Sequence, residues 1–210
     1  LVAEQAVRRL EFLHGRGLLH LDIKPDHFMF GRGRDAGTLH LVDFHLSRPW
    51  RTRALKYIKP PARALAADCV RIFFDPFESV NRHACGAVSR RDDLEALGHV
   101  LLYLARGNSL PWECRTPASS RHGTSAPKLC EYGLRELTIK RRTPLEDLAV
   151  SHPAAGHPAA ALESLVPFLS YCRNLTFTAE PDYKHLRRLL TATFERHFPH
   201  DRGKLDMSAL

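Results

Sequence analysis

The chain has 210 residues, of which 44% are hydrophobic and 26% are charged, the balance of an ordinary soluble domain. No apolar run reaches the ~20 residues that a membrane span needs, so we expect no membrane partner. The formal net charge of +8 favours anionic partners such as nucleic acid, acidic peptides or phosphorylated proteins. The basic residues are dispersed in short groups, for example Arg90-Arg91 and Lys140-Arg141-Arg142. This pattern is typical of a solvated surface rather than of a nucleic-acid groove.

The start of the chain has the spacing of a helix. Apolar residues recur at helical intervals over residues 1–14, and no capping residue stands ahead of them. We therefore expect that the chain begins inside a helix and that sequence upstream is missing. Gly15 and Gly17 are expected to end this helix, because glycine readily adopts the left-handed conformation found at helix ends.

The five cysteines are scattered along the chain, and none belongs to a C-x-x-C pair. Metal knuckles use closely spaced cysteine pairs, so we expect no zinc knuckle. An odd number of scattered cysteines favours reduced thiols. The expected location is therefore intracellular, in the cytoplasm, the nucleus or both.

A small β element follows the first helix. Residues 28–30 and 39–42 predict two short strands, and the glycine-rich residues 31–37 predict the turn between them. From Leu46 to about Val80 the sequence has no clean period and contains four prolines. This stretch predicts a long irregular loop, in which the three phenylalanines Phe73, Phe74 and Phe77 are expected to pack rather than to bind a ligand.

The remainder of the chain predicts helices, so the expected fold class is mainly α, or α+β with a small β part. The strongest helix follows Ser89, which can cap it, with acidic residues in the first turn. Its predicted buried face consists of Leu94, Leu97, Val100, Leu101 and Leu104. Residues 113–127 predict an exposed linker, and further helices are expected at about 128–139, 144–150 and 159–173. A last helix after Pro181 is expected to turn Leu186, Leu189, Leu190 and Phe194 inward.

Two loops carry the polar residues of greatest interest. The loop of residues 18–28 holds Asp22, Lys24 and His27 between apolar anchors, and Asp43 follows the second predicted strand directly. Two loops that each offer a carboxylate beside a short apolar segment suggest a site for a metal-bound phosphate. Beside Asp43, His27 and His45 could instead bind a softer ion such as manganese or zinc. His14 and His40 are expected to be surface or partly buried polar residues.

Several motifs, in an unbroken order, resemble the C-terminal lobe of a protein kinase of the casein kinase 1 group. Residues 20–28 (HLDIKPDHF) are similar to the catalytic loop, and residues 43–45 (DFH) occupy the DFG position. Further similar motifs are residues 89–98 (SRRDDLEALG), 110–112 (LPW), 172–177 (CRNLTF) and 181–183 (PDY). The resemblance implies one domain, residues 1–210, with a protein kinase-like helical lobe and a β-hairpin that carries the catalytic and DFG-like loops.

The resemblance implies roles for the site residues. Asp22 aligns with the aspartate that orients the substrate hydroxyl and accepts its proton, and Lys24 with the lysine that neutralises the transferring phosphoryl group. Asp43 aligns with a magnesium ligand, so ATP and Mg²⁺ are the implied cofactors. Asp93 is expected to hydrogen-bond the backbone of the catalytic loop, a supporting role.

Two further residues have structural roles by the same resemblance. His20 is the first residue of the catalytic-loop motif, and Arg173 aligns with a structural basic residue of the last helices. Neither is expected to touch the reacting groups.

The departures from the family pattern fall at the chemistry. The N-terminal lobe, with its glycine-rich loop and strand lysine, is absent from these residues, so this chain alone is expected to bind ATP poorly. His27 stands where the family has an asparagine that binds magnesium, and His45 stands where it has the DFG glycine. Imidazole is a poor ligand for Mg²⁺. Leu21 and Pro76 replace two family arginines, the second of which helps to bind an acidic or phosphorylated substrate.

Three functions remain open from the sequence. The first is a casein kinase 1-like serine/threonine kinase domain, inactive or impaired as this isolated chain, which acts on protein substrates that include acidic or phosphorylated ones. The second is a pseudokinase that serves as a protein-binding scaffold. The third is a basic nucleic-acid-binding module, which rests on the charge alone.

Overall fold

The computed structural model describes residues 1–52, 56–58, 75–113, 126–150 and 159–197. Within these ranges the chain is mainly helical with little β-structure, as the sequence predicts. The helices are α1 (Val2–Gly15), α2 (Val80–His83), α3 (Arg90–Ala105), α4 (Ala126–Arg142), α5 (Leu145–Val150), α6 (Ala159–Asn174) and α7 (Tyr183–His197). The strands are β1 (Leu18–Leu19), β2 (Phe28–Phe30), β3 (Leu39–Leu41) and β4 (Arg48–Pro49), with 3₁₀ turns at Pro25–His27 and Gly33–Asp35. None of the helices in these ranges has both the length and the apolar character of a membrane-crossing segment.

Helix α1 confirms the helix predicted over residues 1–14. Its apolar residues Val7 and Leu10 are fully buried, and the helix ends at Gly15. Gly17 adopts a φ of 84°, a conformation that side chains disfavour, and this allows the chain to turn directly into β1.

The predicted hairpin is present as β2 and β3. These strands pair antiparallel, with Phe28 opposite Leu41 and Phe30 opposite Leu39. A backbone hydrogen bond of 3.0 Å from Val42 N–H to the carbonyl of His27 continues the pairing beyond the strands. The hairpin therefore brings the residue before Asp43 next to the end of the loop that carries Asp22.

Helix α3 is the centre of the core and packs against both α1 and α6. Ser89 and Asp92 form a capping box at its start, in which the Asp92 carboxylate accepts a 2.7 Å hydrogen bond from the backbone N–H of Ser89. Four of the five predicted core residues are buried, but Leu104 is 40% exposed. The prediction is wrong there because Ala105, four residues after Leu101, takes the buried position of the last turn.

The later helices lie close to their predicted ranges. Helix α4 begins at Ala126, inside the predicted linker, whose residues 114–125 lie outside the described residues. Helix α7 starts at Tyr183, two residues after Pro181, and packs against α1 and α6. Leu186 is fully buried, Leu189 and Leu190 are partly buried, and the side chain of Phe194 lies outside the described part.

The predicted irregular loop contains more order than expected where the structure describes it. Strand β4 pairs with β1, and Arg51 forms an isolated bridge with Tyr57. Phe77 is buried in the core, as predicted, whereas Phe73 and Phe74 lie outside the described residues.

Three expectations about individual residues are wrong. Arg90 and Lys140 are not solvated, since they are 7% and 0% exposed. Cys85 is disulfide-bonded, contrary to the prediction of reduced thiols, whereas Cys172 is a free and buried thiol.

Candidate active site

The loop between β1 and β2 holds the two residues expected to be catalytic. Asp22 is 5% exposed, and its carboxylate accepts a 2.9 Å hydrogen bond from the ammonium group of Lys24. Burial lowers the pKa of Lys24, but this hydrogen bond and the negative charges of Asp22, Asp75 and Asp26 together outweigh burial and raise the pKa. The side chain of Lys24 is 31% exposed to solvent. The lysine is therefore charged and remains accessible to an anion.

His27 lies between the two carboxylates of the site. Its Nδ1 lies 2.7 Å from the backbone carbonyl of Asp22 and 3.5 Å from the Asp22 carboxylate. Its Nε2 lies 3.3 Å from the carboxylate of Asp43. A carbonyl oxygen only accepts, so Nδ1 donates to the carbonyl of Asp22. The ring of His27 therefore contacts both acidic residues of the site.

Asp43 has a histidine on each side. The carboxylate accepts a hydrogen bond from Nδ1 of His45, in addition to the contact with His27. The hydrogen bond from His45 lowers the pKa of Asp43. Asp43 is exposed, in contrast to Asp22, and so the site is open on the side of the DFG-like loop.

Both loops hold a residue with a left-handed backbone. Leu21 has a φ of 64° and Asp43 a φ of 62°. A residue with a Cβ pays about 1–2 kcal/mol in this region, and strained positions of this kind persist only where neighbouring contacts over-determine them. The strain thus falls on the two loops that present the carboxylates.

Asp93, in the first turn of α3, supplies the contacts that hold Leu21. Its two carboxylate oxygens accept hydrogen bonds from the backbone N–H groups of His20, at 2.8 Å, and Leu21, at 2.9 Å. This is the contact that the resemblance implies for Asp93. On the other side of Leu21, its carbonyl accepts from the guanidinium of Arg82, which also pairs with Glu78 over 3.2 Å.

His14 completes this support, and the sequence did not indicate its role. Expected to be a surface or partly buried residue, it is 1% exposed. Its Nε2 lies 2.9 Å from the Asp93 carboxylate, and its Nδ1 lies 2.7 Å from the hydroxyl of Tyr183. Burial raises the pKa of Asp93, but the hydrogen bond from His14 and those from the backbone lower it overall. A buried chain of contacts therefore connects helix α7 with the candidate catalytic loop.

The two structural residues of the resemblance lie away from the open side. His20 is fully buried, and its Nε2 lies 3.0 Å from the carbonyl of Val42, which ties the loop to the residue before Asp43. Burial lowers the pKa of His20. Arg173 donates a 2.7 Å hydrogen bond to Glu95 and so connects α6 with α3.

Asp75 is a further acidic residue near the site that the sequence did not single out. Burial raises its pKa, and the charge on Asp22 adds to this effect, while Lys24 opposes it. Nothing in the sequence indicates this position for Asp75, because the residue lies in the stretch between Leu46 and Val80 that has no clean period.

The site residues also form a possible metal-ligand set. One oxygen each of Asp22 and Asp43 and one ring nitrogen of His45 all lie within 4.8 Å of one another. Carboxylates with imidazole suit zinc or manganese better than magnesium, which prefers oxygen ligands alone. No protein-family model matches the chain.

Proposed function

We propose that the chain is the C-terminal lobe of a casein kinase 1-like serine/threonine protein kinase in which phosphoryl transfer is impaired. The observation that carries the proposal is the position of His27, which contacts both Asp22 and Asp43. The order of the motifs and the convergence of Asp22, Lys24 and Asp43 support the kinase part. The substitution of a metal ligand by an imidazole supports the impairment.

The residues of the chain retain part of the chemistry. The Asp22 carboxylate lies 2.9 Å from the ammonium of Lys24 and can orient a substrate hydroxyl and accept its proton. Lys24 can place positive charge against a transferring phosphoryl group, since its side chain is partly exposed. Because phosphoryl transfer depends mainly on positioning and charge neutralisation, these two residues are the minimum that such a site needs from this lobe.

The same residues do not fit magnesium. Mg²⁺ demands near-octahedral oxygen coordination, and the imidazole of His27 lies between the two carboxylates that would supply those oxygens. In this arrangement, the ring of His27 makes the contacts to both acidic residues that a metal would otherwise make. The implied pairing of ATP with magnesium is therefore the weakest part of the resemblance.

The position of His27 also favours a second candidate function, a pseudokinase that acts as a protein-binding scaffold. Such a domain needs the fold and the loop structure but no bound cation. The hydrogen bonds of Asp93 to the loop keep that structure independently of any ligand.

The test uses the full-length protein that contains these residues. Thermal shift with ATP, in the presence of Mg²⁺ and of Mn²⁺, measures nucleotide binding, and transfer to an acidic Ser/Thr peptide measures activity. We expect weak transfer from the natural protein and at least about a tenfold increase for His27→Asn, because the amide oxygen restores a magnesium ligand. His40→Asn is the matched control, since His40 is exposed on β3 and outside the site.

Two results separate the candidates. If neither protein shifts with ATP or transfers phosphate with either metal, the kinase proposal fails and the scaffold remains. If His27→Asn and His40→Asn change transfer equally, His27 is not the cause of the impairment.

A further inference from the structure

A second concave site lies away from the candidate active site, where four helices meet. The pocket has a volume of about 350 Å³, at the lower end of the range of small-molecule sites. Its walls come from α2, the start of α3, the end of α4 and the end of α6. The charged residues that line it are Arg91, Glu95, Lys140, Arg141 and Arg173.

The charge of this pocket is strongly one-sided. Four basic side chains face one carboxylate, that of Glu95. Glu95 is already engaged, because it accepts a 2.7 Å hydrogen bond from Nε of Arg173. Behind the lining, the Asp92 carboxylate lies 3.9 Å from Nε of Arg91, and the charges of Glu136, Glu78 and Asp75 act on Lys140. The lining itself still has an excess of positive charge, and a concave cluster of this kind attracts an anion.

One guanidinium group in the wall has a donor without a partner. Nη2 of Arg173 is buried and has no hydrogen-bond partner in the described part of the chain. Arg91 is already engaged, because its Nε lies 3.9 Å from the Asp92 carboxylate and its Nη1 donates a 2.6 Å hydrogen bond to the carbonyl of Leu175. Buried donors are normally paired, so Nη2 of Arg173 lacks an acceptor that an anion could provide.

Lys140 adds a charge that is fixed in place. Its side chain is fully buried, and its ammonium donates a 2.8 Å hydrogen bond to the carbonyl of Glu78 and lies 5.1 Å from the ring centre of Trp112. Burial lowers the pKa of Lys140 to about 8, so the group is still largely protonated at neutral pH. Arg141, the next residue, is exposed and stands at the entrance.

Basic residues in the last turn of a helix are often explained by the helix dipole. That account applies to Lys140 and Arg173, which end α4 and α6. Arg91 lies in the first turn of α3, but its Nη1 donates to the carbonyl of Leu175, directly after the end of α6, so its charge also lies at a helix C-terminus. The pocket therefore brings Arg91 together with the basic ends of α4 and α6.

We propose that this pocket binds a phosphomonoester group, carried either by a phosphorylated protein side chain or by a small metabolite. The planar arginine fork can donate two parallel hydrogen bonds to two oxygens of a phosphate, and a dianion would balance the excess charge better than a single carboxylate. The proposal does not depend on the proposed function, because no residue of the pocket belongs to the site around Asp22.

Isothermal titration calorimetry of the chain with O-phospho-L-serine tests the proposal, with L-serine as the control ligand. Arg141→Glu is the test variant and Arg142→Glu the matched control, since both residues are exposed neighbours at the end of α4 and only Arg141 lines the pocket. We expect Arg141→Glu to weaken phosphoserine binding at least about tenfold, the effect of losing a charge-assisted hydrogen bond, and Arg142→Glu to change it less than about twofold. Thermal unfolding confirms that both variants fold.

A phosphoserine peptide distinguishes the two sources of the ligand. Tighter binding of the peptide than of phosphoserine identifies a phosphorylated protein, and equal binding identifies a small phosphate compound. No binding of phosphoserine at millimolar concentration would overturn the proposal. An equal loss of affinity in Arg141→Glu and Arg142→Glu would also overturn it, because the binding would then reflect diffuse surface charge.

Discussion

Asp93 accepts a 2.9 Å hydrogen bond from the backbone N–H of Leu21, a residue whose φ of 64° places it in the left-handed region. The contact joins the first turn of the central helix to the residue directly before Asp22. Because a left-handed leucine is strained, the loop depends on this acceptor to keep the Asp22 carboxylate in position.

Substitution of Asp93 by asparagine tests this dependence. We expect a loss of about 2–4 kcal/mol in the free energy of unfolding, because the amide offers one acceptor oxygen where the carboxylate uses two and leaves His14 without an anionic partner. Urea denaturation at pH 7 measures the change.

The stability that Asp93 contributes should depend on pH. The pKa of Asp93 is lowered in the folded protein, so its contribution is present above its ordinary value of 3.8 and is lost as the pH falls through the folded value. Asp35→Asn is the control, since Asp35 is exposed in the hairpin turn and should change stability by less than about 0.5 kcal/mol. Equal effects of the two variants would contradict the role of Asp93.

Local sequence patterns were sufficient to predict those parts of the fold that depend on residues close together in the chain. The hairpin of β2 and β3 and the capped helix α3 both follow from spacing and from residues within a few positions. His14 was misjudged because its partners, Asp93 and Tyr183, lie 79 and 169 positions away. Leu104 was misjudged because burial in the last turn of α3 depends on which neighbouring helix reaches it.

Burial of His83 predicts that the protein loses stability at acidic pH. It is 1% exposed and its Nδ1 lies 3.4 Å from the ammonium of Lys140, and burial lowers the pKa of His83 to about 3. Below about pH 6.5 the unfolded chain binds a proton at His83, whereas the folded chain stays unprotonated there until about pH 3. The free energy of unfolding therefore falls as the pH decreases from about 6.5 towards 3. Between pH 7.5 and pH 5, the natural chain should lose about 2 kcal/mol more than His83→Gln.

Urea midpoints at a series of pH values measure this difference. His40→Gln is the control, because His40 is exposed and should follow the natural chain at every pH. If His83→Gln also follows the natural chain, then His83 takes up a proton in the folded state as readily as in the unfolded state, and the prediction is wrong.

Gly98 gives a prediction about packing. A Cβ at this position would lie 2.5 Å from Cδ2 of Leu169 and 3.3 Å from Cδ1 of Phe168, both buried on α6. Alanine improves helix propensity by about 1 kcal/mol, but overpacking a filled core costs about 1–3 kcal/mol, and we expect a net loss for Gly98→Ala. Gly15→Ala is the comparison, since nothing lies within 4 Å of the added methyl group. Equal thermal stability of the two variants would show that α3 and α6 can separate without cost.

The candidate site was predictable in its residue types but not in its geometry. The motifs indicate that Asp22, Lys24 and Asp43 belong together, because their order and spacing resemble a kinase lobe. Nothing in the spacing says that the His27 ring would contact both carboxylates, since that depends on how the two loops meet after the hairpin has formed. The contacts of Lys140 with Glu78 and Trp112 are likewise made by segments far apart in sequence.

The last prediction concerns metal preference at the candidate active site. Asp22, Asp43 and His45 place their ligand atoms within 4.8 Å of one another, and the pKa of Asp43 is lowered, so its carboxylate is ionised at neutral pH. Two carboxylates and an imidazole favour Zn²⁺ over Mg²⁺. We expect Zn²⁺ to bind more tightly than Mg²⁺ in calorimetry and His45→Gln to weaken zinc binding at least about tenfold. His40→Gln controls for zinc bound by other histidines, and unchanged zinc affinity in His45→Gln would place the ion elsewhere.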